Sequence, residues 1–167
     1  MTAPVISRID TAKVTGRRKP QFNSVDEALE DANRLATAER LGRLNQLGNW
    51  TLGQALNHIG GWAEFSHAPC PLKTPFLIRL IIWLQKSRFL YGSMPVGVRI
   101  PRVEGGTLVT EAVSLDEGQQ RFESAFRRLK TEPPTHPSPA LGKLTQTEAI
   151  ALNLRHAELH LSFFVPT

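Results

Sequence analysis

An all-α protein of four principal helices, with a long insertion between the second and third, is predicted by three features of this 167-residue sequence. Four positions carry a small hydroxyl residue followed three places later by Glu or Gln, the pattern that caps a helix start. They are Ser24…Glu27, Thr51…Gln54, Ser114…Glu117 and Thr145…Glu148. Each opens an apolar pattern with helical period, and proline-rich segments separate the second helix from the insertion and the third from the fourth.

The first helix is expected from Val25 towards Leu47, with Leu29, Ala32, Leu35 and Ala36 inward and Gly48-Asn49 as its stop. The second starts near Leu52, buries Ala55, Leu56, Ile59 and Trp62, and ends before Pro69. The third covers about Leu115–Leu129 with Phe122, Ala125, Phe126 and Leu129 inward. Pro133, Pro134, Pro137 and Pro139 then make a stiff connection, and the fourth runs from Gln146 to about Phe164. Within the insertion, residues 67–113, Pro75–Tyr91 is expected to form a further helix apolar enough to lie against the bundle. Val96–Val113, with Pro101, Gly105 and Gly106 among β-prone residues, reads as a hairpin or irregular loop. An insertion of this length can roof a pocket or elaborate the packing.

Length and a 41% hydrophobic content suit one folded domain. We place it at residues 23–167, preceded by a basic, flexible arm at 1–22. The net charge of +5 belongs mostly to that arm, where Arg8, Lys13, Arg17, Arg18 and Lys19 stand against Asp10. A nucleic-acid partner is therefore not expected. The apolar run Phe76–Leu84 is about half the length of a membrane span and is interrupted by Arg79, so no membrane partner is expected either. A soluble cytoplasmic protein is the default. With Cys70 as the single cysteine, a disulfide framework and a cysteine-rich zinc site are excluded.

The residues that carry chemistry are histidines. His156 and His160 stand four apart on the fourth helix, on one stripe with Ala149 and Asn153. His58 lies between Ala55 and Trp62 on the inward face of the second helix. Three imidazoles converging from two helices can hold one divalent metal and leave a coordination position open. Spacing and facing alone leave a second reading, three satisfied core histidines. Asn57 and Asn153 can orient the imidazoles or simply close local hydrogen bonds. Glu64 should face elsewhere, and Glu158 reads as a solvated surface carboxylate. His67 is expected to be an exposed loop residue, Cys70 inert and His136 structural. Trp50, Trp62 and Trp83 are core or interface residues before they are a stacking platform. Gly60-Gly61 inside a helix costs stability and points to close packing or room for a ligand.

Two segments resemble the DinB/YfiT-like superfamily of metal-binding four-helix bundles. Asn49-Trp50-Thr51-Leu52-Gly53-Gln54-Ala55-Leu56-Asn57-His58-Ile59 is similar to the start of its second helix, where a tryptophan precedes a metal-binding histidine. Leu154-Arg155-His156-Ala157-Glu158-Leu159-His160-Leu161 resembles its last helix, with two ligands four apart. The ending Leu161-Ser162-Phe163-Phe164-Val165-Pro166 and His136-Pro137 look like one uncharacterised branch of that superfamily, a domain of unknown function. The similarity covers roughly residues 17–166 in layout. It implies a four-helix bundle with one long crossover, with His58, His156 and His160 as ligands of nickel, zinc, iron or a similar ion. It also implies kinship with thiol-dependent transferases and isomerases, and a homodimer. The open metal position, which could activate a thiol or water, suits a transferase or hydrolase acting on a small molecule. The runner-up is a non-catalytic metal- or ligand-binding, dimerising bundle. Characterised relatives use mycothiol or bacillithiol, a low-molecular-weight thiol. Where many of them have polar or charged residues after the last ligand, this chain has Leu161-Ser162, so thiol recognition does not carry over.

Overall fold

The structure, a computed structural model, describes residues 9–72, 74–101 and 103–167. Arg8 and the first part of the expected arm lie outside them. The elements in chain order are α1 (Val25–Arg40), β1 (Leu44–Gln46), α2 (Leu52–Glu64), α3 (Phe76–Leu84), α4 (Lys86–Tyr91), α5 (Leu115–Thr131), α6 (Gln146–Leu161) and β2 (Phe164–Pro166). Helices α1, α2, α5 and α6 pack on one another around a core that includes Leu35, Leu56, Ile59, Phe122, Phe126 and Leu161.

The four principal helices start where their caps predict. Ser24, Thr51, Ser114 and Thr145 each accept a hydrogen bond from the backbone amide three residues on. At Ser114 and Thr145 the glutamate also reaches back to the cap amide, completing the reciprocal pair. At Thr51 the partner is diverted: the Gln54 side-chain amide donates to the Thr110 carbonyl at 2.6 Å, tying the start of α2 to the insertion.

The first and last helices both end earlier than expected. Helix α1 stops at Arg40, because Gly42 adopts a left-handed φ of 67°. Arg43 N–H then bonds the Ala38 carbonyl and Gly42 N–H the Glu39 carbonyl, the double closure that a left-handed glycine permits. The chain beyond it forms β1, which pairs antiparallel with β2, Asn45 opposite Val165. Helix α6 accordingly ends at Leu161, short of Phe164, so that β2 can reach β1.

Helix α2 is pressed onto α5, the most extensive helix contact in the molecule. A Cβ on Gly118 would stand 2.1 Å from the Gly53 carbonyl oxygen, and one on Gly60 would stand 2.9 Å from the Phe122 nitrogen. The glycines that weaken α2 as an isolated helix thus let two backbones touch. Asn57 and Glu64 share that side of α2, and Arg121 of α5 grips both. His58 and Trp62 fall on the neighbouring face, turned away from α5.

The insertion departs most from expectation. The helix predicted over Pro75–Tyr91 is two helices, broken at Gln85. Helix α4 buries Leu90 and packs on α6, but α3 buries none of its residues. Of the two readings of Val96–Val113 the irregular loop holds: no strand forms among its described residues, and a 3-10 turn lies at Glu104–Gly106.

The described part of the basic arm lies along the bundle. Arg18 forms a two-pronged bond to Asp31 of α1, at 2.9 and 2.7 Å, and also reaches the Leu161 carbonyl. Arg17 bonds Ser162 Oγ at 3.1 Å and stacks over the Phe163 ring. Phe22 belongs to the core. Its amide donates to Glu158 Oε1 at 2.6 Å, and Arg155 donates to its carbonyl.

Candidate metal centre

Helix α6 has two inner faces. Ile150, Leu154, Ala157 and Leu161 turn to the shared core. Ala149, Leu152, Asn153, His156, Leu159 and His160 line a cavity of about 620 Å³ between α2, α6 and the insertion. His58 and Trp62 enter the same cavity from α2. The stripe predicted from helical spacing is therefore the stripe that faces the cavity.

The three histidines meet through the same ring atom. His58 Nε2 lies 3.2 Å from His156 Nε2, which lies 3.0 Å from His160 Nε2. A metal bonded at 2.0–2.1 Å sets two ligand nitrogens about 2.9 Å apart at right angles and about 3.4 Å apart at tetrahedral angles. The observed separations fall inside that range. They are also hard to satisfy without a cation, since nitrogens whose lone pairs face one another repel, and one N–H serves one neighbour.

The tautomer of His58 follows from its other nitrogen. Nδ1 sits 2.9 Å from the Leu108 carbonyl oxygen and 3.2 Å from that of Val109. Carbonyls only accept, so Nδ1 carries the proton and Nε2 presents its lone pair to the cavity. Two successive carbonyls can aim at one imidazole because Val109 takes a left-handed φ of 55°, a strained conformation for a β-branched residue. Gly61 makes room for it: a Cβ there would stand 2.7 Å from the Val109 side chain.

All three imidazoles are held neutral. Burial pulls His58 from 6.5 down to about 4, against the upward pull of its two backbone hydrogen bonds. Burial likewise lowers His156 and His160 well below 6.5, helped by their mutual repulsion when charged. Neutral imidazole is the ligating form. Two indoles bracket the group. Trp50 stacks on His160 at 5.3 Å between centroids and leans on His58 at 4.7 Å, and Trp62 meets His156 edge-on at 5.9 Å.

The remaining candidates fall on either side of expectation. Asn57 is held by Arg121 at 2.9 Å, on the face of α2 toward α5. Asn153 lines the cavity, and its Nδ2 donates to the Ala149 carbonyl at 2.9 Å. Glu64 pairs with Arg121. Glu158 is not a solvated carboxylate: it lies between Arg155 and the Phe22 amide, and burial raises its pKa. His67 is buried, with Nε2 3.4 Å from the Glu132 carbonyl oxygen, rather than exposed. Burial raises the Cys70 thiol, which makes it less reactive. His136 reaches the cavity wall, with Nδ1 3.1 Å from Thr135 Oγ1.

The insertion closes much of the cavity, through Ile82, Phe89, Met94, Val96 and Ile100. Asp10 is the single carboxylate among the described residues of its lining, and it is engaged by the Ala12 amide and Lys13. Besides the histidines, Arg99 is the one cation among the described residues of the lining, and the rest of the wall is aliphatic, aromatic and small polar groups.

Fold and site together define a mostly helical domain with three histidines placed to hold a metal ion. The chain belongs to the DUF1569 family, described as a protein of unknown function, which it matches over residues 14–167. No curated protein and no solved structure matches it significantly.

Proposed function

We propose that this protein is a DinB-like, divalent-metal-dependent enzyme that acts on a small, largely apolar molecule in the 620 Å³ cavity. The observation that carries this reading is the convergence of three Nε2 atoms from His58, His156 and His160 on one wall of that cavity. Imidazole donors suit nickel, zinc and iron. Such an ion, when bound, would activate a water or a thiol for transfer to, or hydrolysis of, an electrophile. The chain's own residues do the rest. The carbonyls of Leu108 and Val109 fix the His58 tautomer, Trp50 and Trp62 pack against the imidazoles, and the stitched arm holds α6 at the register that sets His156 beside His58.

A second reading, a metal- or ligand-binding bundle without catalysis, is favoured by one observation. The cavity offers no free carboxylate among its described residues to serve as a general base. His136 is the remaining imidazole in its wall.

The first test is elemental mass spectrometry on untagged, unchelated protein with His58→Ala and His156→Ala. About one equivalent of a divalent metal, lost in both variants, is the expected result. Wild-type protein that takes up no metal after reloading with nickel, zinc, iron and manganese would end the enzyme reading. With metal present, turnover of an ester and electrophile panel that His58→Ala abolishes separates the enzyme from the binding bundle.

A further inference from the structure

Helix α3 is built inside out. On its wheel Phe76, Leu77, Leu80, Ile81, Trp83 and Leu84 form one broad face that points to solvent, with Leu77 and Leu84 about 70% exposed (69% and 70%). The less exposed side carries Ile82, which lines the cavity. A contiguous apolar face of this kind marks an interaction surface.

The charge around it narrows the partner. From Phe65 to Val103 the sequence holds no aspartate or glutamate, but it holds Lys73, Arg79, Lys86, Arg88, Arg99 and Arg102. Arg79, Arg88 and Arg99 are exposed; Lys86 is engaged by Glu148 at 2.7 Å. A second copy of the chain seated face to face on α3 would set like charges together, with no carboxylate of this segment to offset them. An anionic lipid surface offers the complementary pair, acyl chains for the apolar face and headgroup phosphates for the arginines. Trp83 and Tyr91, both exposed, are the residue types that settle at the headgroup level. Nine residues of helix span about 13 Å, too short to cross a bilayer but suited to lie in its surface.

We infer that α3 docks this protein onto anionic membrane surfaces as an interfacial helix, with its apolar face among the acyl chains and Arg79 and Arg88 at the phosphates. The inference stands independently of the metal. Because α3 and the loop after α4 roof the cavity, docking would turn that roof toward the membrane.

The test is co-sedimentation of full-length protein with phosphatidylcholine vesicles, with and without about one third phosphatidylglycerol. The protein is expected to pellet with the mixed vesicles, and less so as salt rises. Binding should fall at least roughly tenfold in Leu77→Asp/Leu84→Asp, and in Arg79→Glu/Arg88→Glu, with helicity by circular dichroism unchanged. Protein left in the supernatant with mixed vesicles would overturn the inference, as would equal pelleting with both vesicle types or by both variants. A dimer in sedimentation velocity that Leu77→Asp/Leu84→Asp disperses would instead assign the face to a second copy of the chain.

Discussion

Two regions of the molecule invert the usual placement of charge and oil. The segment Arg17–Phe22 is rich in cations, yet it is fastened to α1 and α6 by paired arginines and buries Phe22. Helix α3 is the most apolar stretch of the sequence, yet it stands in solvent. The difference is one of partners. Asp31, buried on α1, and Glu158, largely covered on α6, give the arm's arginines and backbone a place to bond. The core of the bundle is built mainly from α1, α2, α5 and α6, and no residue of α3 belongs to it. Composition is a guide to burial only until it is known which surfaces remain free.

The comparison is broken most directly at Arg18. Burial pushes the Asp31 carboxyl up, but hydrogen bonds from Arg18 and Arg34 outweigh it and leave the pKa lowered. Both partners of the Arg18 pair are largely out of solvent, at 17% and 6% exposed. Arg18→Ala should cost about 3 kcal/mol, read as the shift in urea midpoint at constant slope. It should also weaken metal binding, because the Leu161 carbonyl, just beyond His160, loses its Arg18 donor. A cost below about 0.5 kcal/mol would mean that the segment is a solvated arm after all.

The histidine cavity gives the second prediction. His58 is held at about 4 in the fold, against 6.5 when unconstrained. Between those values the unfolded chain binds a proton that the folded one refuses, so stability falls as pH falls. The contribution is complete above pH 6.5 and is lost by about pH 4. For His58 alone it corresponds to about 3 kcal/mol, and His156 and His160 act in the same direction. Urea denaturation of chelated protein between pH 7 and 4 checks it, and in His58→Phe the pH dependence should be shallower.

Much of the site was legible because its signals are local. Cap residues sit beside the helices they start, and a four-residue spacing puts His156 and His160 on one stripe whatever lies across from it. What was not legible comes from non-local or backbone partners. No side-chain signal marks the Leu108 and Val109 carbonyls that orient His58, and a valine gives no hint that it will adopt φ 55°. Glu158 read as a surface carboxylate because its partner, the Phe22 amide, is distant in the chain. The early stop of α1 did have a local signal in Gly42, outweighed by the more conspicuous Gly48-Asn49.

The smallest expected effect is on the exposed side of the comparison. If α3 rests on nothing, removing its outward oil should leave stability almost untouched. Leu77→Ser/Leu84→Ser is expected to change unfolding free energy by no more than about 0.5 kcal/mol, whereas two core leucines treated the same way would cost several. Ile82→Ser, on the side that meets the cavity, should cost more than either exposed leucine, although all three are similar aliphatic residues of one helix. Equal losses at Leu77 and Ile82 would mean that α3 is covered on both sides in the monomer. Ordered losses, small outside and larger inside, would establish that its apolar face is held in reserve for a partner that the folded chain does not supply.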